Sequence, residues 1–172
     1  MTVEEDAGDK KDSGGTTARE PAPSSPPRLP GSILFLCSMN SIRSPMAEVI
    51  ARKLLPPSVY IASAGVRPGA RDPFVDAVLD EVGLTLGSHQ PHSMDELEDD
   101  YFDLIVTLAP EAHHQALELT RSHSVEVEYW PTLDPSVVDG RREQILAAYR
   151  DVRESLAERI SRRFGTALPP AS

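Results

Sequence analysis

The sequence predicts an α/β fold built on a parallel sheet. Three observations predict it. Short apolar runs at 32–36, 59–62, 102–107 and 125–129 alternate with segments whose apolar residues recur at helical spacing. The first run, Ile33-Leu34-Phe35-Leu36, is apolar without a break, the mark of a strand covered on both faces. Proline or glycine punctuates the helical segments at their starts and stops. Strands that alternate with helices form parallel neighbours joined by right-handed crossovers.

In chain order, residues 1–30 read as a disordered arm, polar and charged to Glu20 and proline-rich from Pro21 to Pro30. Such a stretch samples polyproline II. It is either a docking ligand for a partner's aromatic groove or an inert tail, and without a defined partner motif the tail is the preferred reading. The domain spans 31–172. After the first strand, Ser44 reads as an N-cap and Pro45 as the first residue of a helix over 44–55. Met46, Val49, Ile50 and Leu54 share one face of it, and Pro56-Pro57 ends it. The strand at 59–62 runs into Ser63-Ala64-Gly65. Asp72-Pro73 opens the next helix and Gly83 closes it, with Phe74, Val75, Val78, Leu79 and Val82 facing inward. The acidic stretch Asp95 to Asp103 reads as a solvated face. Pro110 starts a helix that runs to about Thr120. Val125 to Tyr129 alternates and belongs at a sheet edge. A loop over 130–139 leads to the last helix, about 140–164, where Ile145, Tyr149, Val152, Leu156, Ile160 and Phe164 fall at helical spacing and Gly165 is the stop.

Composition narrows the function. Of 172 residues, 40% are hydrophobic and 5% aromatic, which suits one domain with an aliphatic core. Net charge is −10, of which residues 31–172 carry −8. Nucleic acid is therefore not the expected partner, because phosphate backbones call for a basic face. A single cysteine excludes an internal disulfide framework and argues against a zinc cluster. His92, the pair His113-His114 and His123 show no metal-ligand spacing. No run reaches membrane-spanning length and the N-terminus lacks a signal-peptide core, so no membrane partner is expected and the cytoplasm is the default compartment.

The chemistry concentrates where the first strand ends. Cys37 follows the apolar run directly, and Arg43 comes after five intervening residues at the start of a helix. Strand, tight loop and helix N-terminus turn successive N–H groups toward one point, a ready anion site. The N–H groups of Ser38, Met39, Asn40, Ser41, Ile42, Arg43 and Ser44 would cradle a phosphate, and Arg43 would add a bidentate fork. Asn40 tolerates positive φ and so suits the curl of that loop. Beneath the anion, the helix dipole and Arg43 favour Cys37 as a thiolate, a nucleophile aimed at phosphorus. In open parallel sheets, ligands bind at the carboxyl ends of the strands, where Cys37 lies.

This stretch resembles the low-molecular-weight protein tyrosine phosphatase family. The family's loop reads Cys-x-Gly-Asn-x-Cys-Arg-Ser, commonly followed by Pro-Met-Ala-Glu, and Cys37, Asn40, Arg43, Ser44, Pro45, Met46, Ala47 and Glu48 match it. The resemblance covers most of 32–164. It implies a flavodoxin-like three-layer sandwich with a four-stranded parallel sheet in the order 2-1-3-4. It implies a metal-independent phosphomonoester hydrolase of the protein-tyrosine-phosphatase type with no cofactor, passing through phosphocysteine and acting on protein phosphotyrosine, or more broadly on a phosphorylated protein or small phosphomonoester. Asp134, in Leu133-Asp134-Pro135, stands where the family's general acid does, although Asp-Pro alone is also a common turn. Asp139 is the next carboxylate. Ser63 and His89 resemble a serine and a histidine that brace the loop asparagine, and Ser44 could donate to the thiolate as well as cap its helix.

Two loop positions depart from the pattern. Met39 stands in place of glycine and would strain a positive φ. Ile42 stands in place of a second cysteine, which removes the partner for a protective disulfide. After Asp134-Pro135 comes Ser136-Val137, where tyrosine-specific members place aromatic residues. That looks like the arsenate reductase branch, whose thioredoxin-linked members use two further cysteines absent here. Three readings result: a phosphatase, a single-cysteine reductase coupled to an external thiol, and a non-catalytic phosphate-binding module.

Overall fold

The computed structural model describes residues 28–99 and 101–166, so the arm read at 1–30 lies, up to residue 27, outside the described residues. The strands β1 (Ser32–Cys37), β2 (Tyr60–Gly65), β3 (Leu104–Thr107) and β4 (Glu126–Tyr129) form one parallel sheet in the order β2-β1-β3-β4. Leu36 pairs with Ala64 on one side and Thr107 on the other, so the carboxyl ends of the strands come level beside Cys37.

The unbroken apolar run of β1 is needed because both its faces are covered. Ile33, Phe35 and Cys37 face a core shared with the helices α1 (Arg43–Leu54), α2 (Pro73–Asp80) and α4 (Arg142–Phe164). Leu34 and Leu36 face the opposite core with Ala112 and Ala116 of α3 (Pro110–Leu119). Full burial of a side chain such as Phe35 contributes about 1.5–3 kcal/mol. β4 lies at the edge, with Glu126 and Tyr129 exposed and Val127 and Glu128 between them half-buried. The long α4 buries Tyr149, Val152, Leu156, Ile160 and Phe164 along one stripe, with Ile145 only partly covered. It ends at Gly165, whose φ of 71° few other residues adopt without strain.

Three local expectations are corrected. Ser44 is not the N-cap of α1: the helix begins at Arg43, Ile42 occupies the cap, and the Ser44 hydroxyl is spent on other partners. α2 stops at Asp80, short of Gly83, so Val82 falls outside its buried stripe and is half exposed. The acidic stretch is more than a solvated face. The Asp103 carboxylate accepts the N–H of Gly31 at 2.9 Å, and its own N–H donates to Ser32 Oγ at 2.9 Å, which pins the start of β1 beside β3.

Candidate active site

The chain leaves β1 at Cys37 and curls before entering α1. Asn40 takes φ 55°, the one positive value outside glycine among the described residues. Met39 therefore carries no positive-φ strain. Its side chain, 43% exposed, has space because residue 69 is glycine, where a Cβ would come 2.8 Å from Met39 Cβ. The carbonyls of Cys37, Ser38 and Met39 accept the N–H groups of Val66, Arg67 and Gly69 at 2.9–3.1 Å, which fastens the outside of the curl to the segment after β2. The N–H groups from Ser38 to Ser44 find no acceptor among the described residues. Carbonyls fastened outward and unpaired amides over a helix N-terminus together make an anion cradle.

Asn40 organises the buried flank. Its Nδ2 donates to Ser44 Oγ at 2.9 Å and Ser63 Oγ at 3.0 Å, and its Oδ1 accepts the N–H of His92 at 3.1 Å. Ser44 Oγ lies 2.9 Å from Cys37 Sγ and 3.2 Å from the Ala64 carbonyl. Ser63 donates on to Glu48 Oε2 at 3.2 Å, and Arg52 donates to Glu48 Oε1 at 3.0 Å. Burial pushes the Glu48 carboxyl above the usual range, opposed by Arg52, by the Ser63 hydroxyl and by His92.

Ser63 thus braces the loop asparagine as the resemblance implies, but His89 makes no side-chain bond to it. His89 Nδ1 stands 3.8 Å from Glu48 Oε2, and its Nε2 is buried with no partner among the described residues. Burial holds the imidazole below the ordinary histidine range against the pull of the Asn40 backbone, and the neighbouring His92, Arg71 and Arg52 lower it further. The contact with Glu48 is therefore one of a neutral ring at neutral pH. The histidine that does bond the asparagine side chain is His92, through its main chain. A backbone contact leaves no mark in the sequence. Glu48 was legible in retrospect, since an acid four residues before Arg52 is a helical ion-pair spacing.

The other flank is the loop after β4. Trp130 N–H donates to Thr107 O at 2.8 Å and Thr132 N–H to Leu108 O at 3.1 Å, which carries the loop across the end of β3. Arg43, with only 11% of its side chain exposed, donates from Nη1 to the Thr132 carbonyl at 3.0 Å. Its Nη2 lies 4.0 Å from Asp134 Oδ2. Asp134-Pro135 does form a turn, and the same residue reaches the site: Asp134 Oδ1 accepts both the N–H (2.9 Å) and the hydroxyl (2.6 Å) of Ser136, while Oδ2 lies 4.0 Å from Arg43 Nη2. Asp139 is exposed and makes no such contact. Leu133, Val137 and Met39 are exposed apolar side chains on the two loops, and Ile42 is buried in the core. Of the remaining histidines, His113 lies against Thr107 and the Tyr129 ring, His123 against Ser122, and His114 is exposed.

A cysteine sulfur, a curl of amides without acceptors among the described residues, a guanidinium and a carboxyl oxygen thus lie at one edge of the sheet. That arrangement can hold a tetrahedral oxyanion over sulfur and pass a proton beside it. The model of the family described as low molecular weight phosphotyrosine protein phosphatase matches residues 32–165. An arsenate reductase of Bacillus licheniformis is 32% identical over 131 residues, which span 76% of this chain and 93% of that protein. Among solved structures, an arsenate reductase of Archaeoglobus fulgidus is 30% identical with a TM-score of 0.61, over 77% of this chain and 98% of the other. A tyrosine phosphatase of Erwinia amylovora is 25% identical with a TM-score of 0.62, over 80% and 95%.

Proposed function

The chain belongs to the low molecular weight phosphotyrosine protein phosphatase family, and from that premise we propose that it is a phosphomonoester hydrolase working through phosphocysteine. The observation that carries this reading is the 4.0 Å approach of Asp134 Oδ2 to Arg43, which sets a proton donor beside the phosphate-binding cation. Cys37 Sγ attacks phosphorus, the bond to the leaving oxygen breaks, and Asp134 protonates that oxygen. Water then attacks phosphorus, Asp134 takes its proton, and the sulfur leaves as thiolate. Arg43 and the amides of Ser38 to Ser44 hold the three non-bridging oxygens throughout. A cytoplasmic setting suits this scheme, since a reducing compartment keeps the thiol free.

The test is turnover of 4-nitrophenyl phosphate and of an alkyl phosphate. Cys37→Ser should abolish both, a loss on the order of 10⁶-fold as for other covalent nucleophiles. Asp134→Asn should cost about 10²–10⁴-fold on the alkyl ester and far less on the nitrophenyl ester, whose leaving group needs little protonation. Equal turnover by Asp134→Asn and wild type on both substrates would remove Asp134 from the scheme.

The arsenate reductase relatives favour a second reading. Here Cys37 would displace water from arsenate to give a thiol–arsenate adduct. A second thiol would then attack Cys37 sulfur, releasing arsenite and leaving a mixed disulfide. This chain has one cysteine, so that thiol and the one that regenerates Cys37 must come from outside. Arsenate-dependent consumption of a low-molecular-weight thiol, absent in Cys37→Ser, would identify this reaction.

A further inference from the structure

We propose that Ser136 is a positioning residue for the acid, fixing which of the two carboxyl oxygens of Asp134 carries the transferable proton; this rests on the reading of Asp134 as the proton donor. Two donors of one residue, the Ser136 N–H at 2.9 Å and its hydroxyl at 2.6 Å, converge on Oδ1. An oxygen that already accepts two hydrogens has no place for a third on the same side. The proton therefore resides on Oδ2, the oxygen 4.0 Å from Arg43 Nη2. Without the hydroxyl, one backbone N–H would hold Oδ1, and the carboxyl would be free to turn and to carry its proton on either oxygen.

The surroundings make the hydroxyl matter. Pro135 is buried and fixes φ at the first position of the 3-10 turn Pro135–Val137, so the serine follows from a rigid anchor. The Asp134 side chain is 37% exposed; among the described residues its polar contacts are the two bonds from Ser136 and the approach of Arg43, and its charge also acts on the Tyr149 phenol. The flanking Leu133 and Val137 are 86% and 75% exposed and offer no ring to grip a substrate. The residue after Pro135 thus aims the acid and does not wall an aromatic group. The class of substrate that gains from this is a phosphomonoester with a basic, poorly leaving alkoxide, whose departure depends on a well-placed proton.

The experiment measures kcat and KM on an alkyl phosphate and on 4-nitrophenyl phosphate for Ser136→Ala, Ser136→Thr, Asp134→Asn and the double variant Asp134→Asn/Ser136→Ala. Ser136→Ala should lower kcat about tenfold on the alkyl ester, the upper weight of one ordinary hydrogen bond, and about twofold or less on the nitrophenyl ester, with KM unchanged. Ser136→Thr, which keeps the hydroxyl, should restore it. In the Asp134→Asn background, Ser136→Ala should add no further loss. Equal losses on both esters, a change confined to KM, or a full further loss in the Asp134→Asn background would overturn the proposal. A silent Ser136→Ala beside a damaging Asp134→Asn would overturn the role of Ser136 alone. A silent Asp134→Asn would overturn the acid reading and Ser136 with it.

Discussion

On one bank of the phosphate loop, Asn40, Ser44 and Ser63 are 1% exposed or less, and each bonds at least two partners. On the other bank, Asp134 is 37% exposed by its side chain and is held by a serine two residues away. The first bank joins segments distant in sequence, 40–44 with 63–64 and 92, and belongs to the folded core. The second is a local turn that rides on the end of β3. The difference teaches a division of labour. The anion cradle is rigid because its geometry is part of what makes the domain stable. Asp134, the proposed proton donor, is laid over it by a turn whose own polar contacts are local.

Substitutions can break that division. Asn40→Ala should have the largest effect on stability, about 3 kcal/mol by urea unfolding. It leaves buried hydroxyls short of a donor and puts alanine at positive φ. Asn40→Gly should recover only the backbone part, about 1 kcal/mol. If Asn40→Ala unfolds like wild type, the buried bank is not structural.

His89 sharpens the comparison through pH. Its pKa is lowered in the folded protein, so between that value and about 6.5 the unfolded chain binds more protons. The stability it contributes is present above about 6.5 and is lost as pH falls through the folded value. Wild type should therefore weaken on acidification below about 6.5, and His89→Gln should lack that part of the slope. Glu48 acts in the opposite sense. Its raised pKa makes stability fall as pH rises above about 4.5, so Glu48→Gln should remove that decline. Unfolding free energies of the three proteins across pH 4–8 test both signs.

Met39→Gly should lower stability by about 0.5–1 kcal/mol, chiefly through the freedom gained by the unfolded chain, with turnover within about twofold of wild type. A gain of many-fold in turnover would show that Met39 obstructs the loop. Asp134→Ala should have the smallest effect on stability, within about 0.5 kcal/mol, because its contacts are local and exposed. A large destabilisation would place Asp134 with the structural bank.

The central place of β1 was legible because it is apolar on both faces, a pattern that a covered strand requires, whereas the order of the four strands came only with the family resemblance. Cys37 and Arg43 were legible because a strand end and a helix start must bring intervening amides together. Of the two roles read for Ser44, the contact with Cys37 sulfur is present and the cap is not, because a serine before Pro45 carries the same cap signal whether its hydroxyl turns to its own helix or to a thiol seven residues earlier. Val82 was misread because helical spacing continues past the point where α2 stops. Helical periodicity could not reveal that Glu48 is buried, since it reports apolar residues and not an acid sunk against Ser63. The role of Ser136 was hidden for a simpler reason. A serine after Asp-Pro looks like an ordinary turn residue until the second donor on Oδ1 is seen.

The Ser44 hydroxyl has a single hydrogen and two neighbours that can compete for it, Cys37 Sγ at 2.9 Å and the Ala64 carbonyl at 3.2 Å. While Cys37 is a thiol, the sulfur can give its own hydrogen to Ser44, and Ser44 can give its hydrogen to Ala64. Once the sulfur is an anion, that hydrogen turns toward it and the Ala64 carbonyl is released. In the proposed phosphocysteine the sulfur would carry no charge, and the hydrogen would swing back. Each catalytic cycle would thus write itself onto the backbone of β2, where an isotope-labelled Ala64 carbonyl would report the charge on sulfur from outside the site.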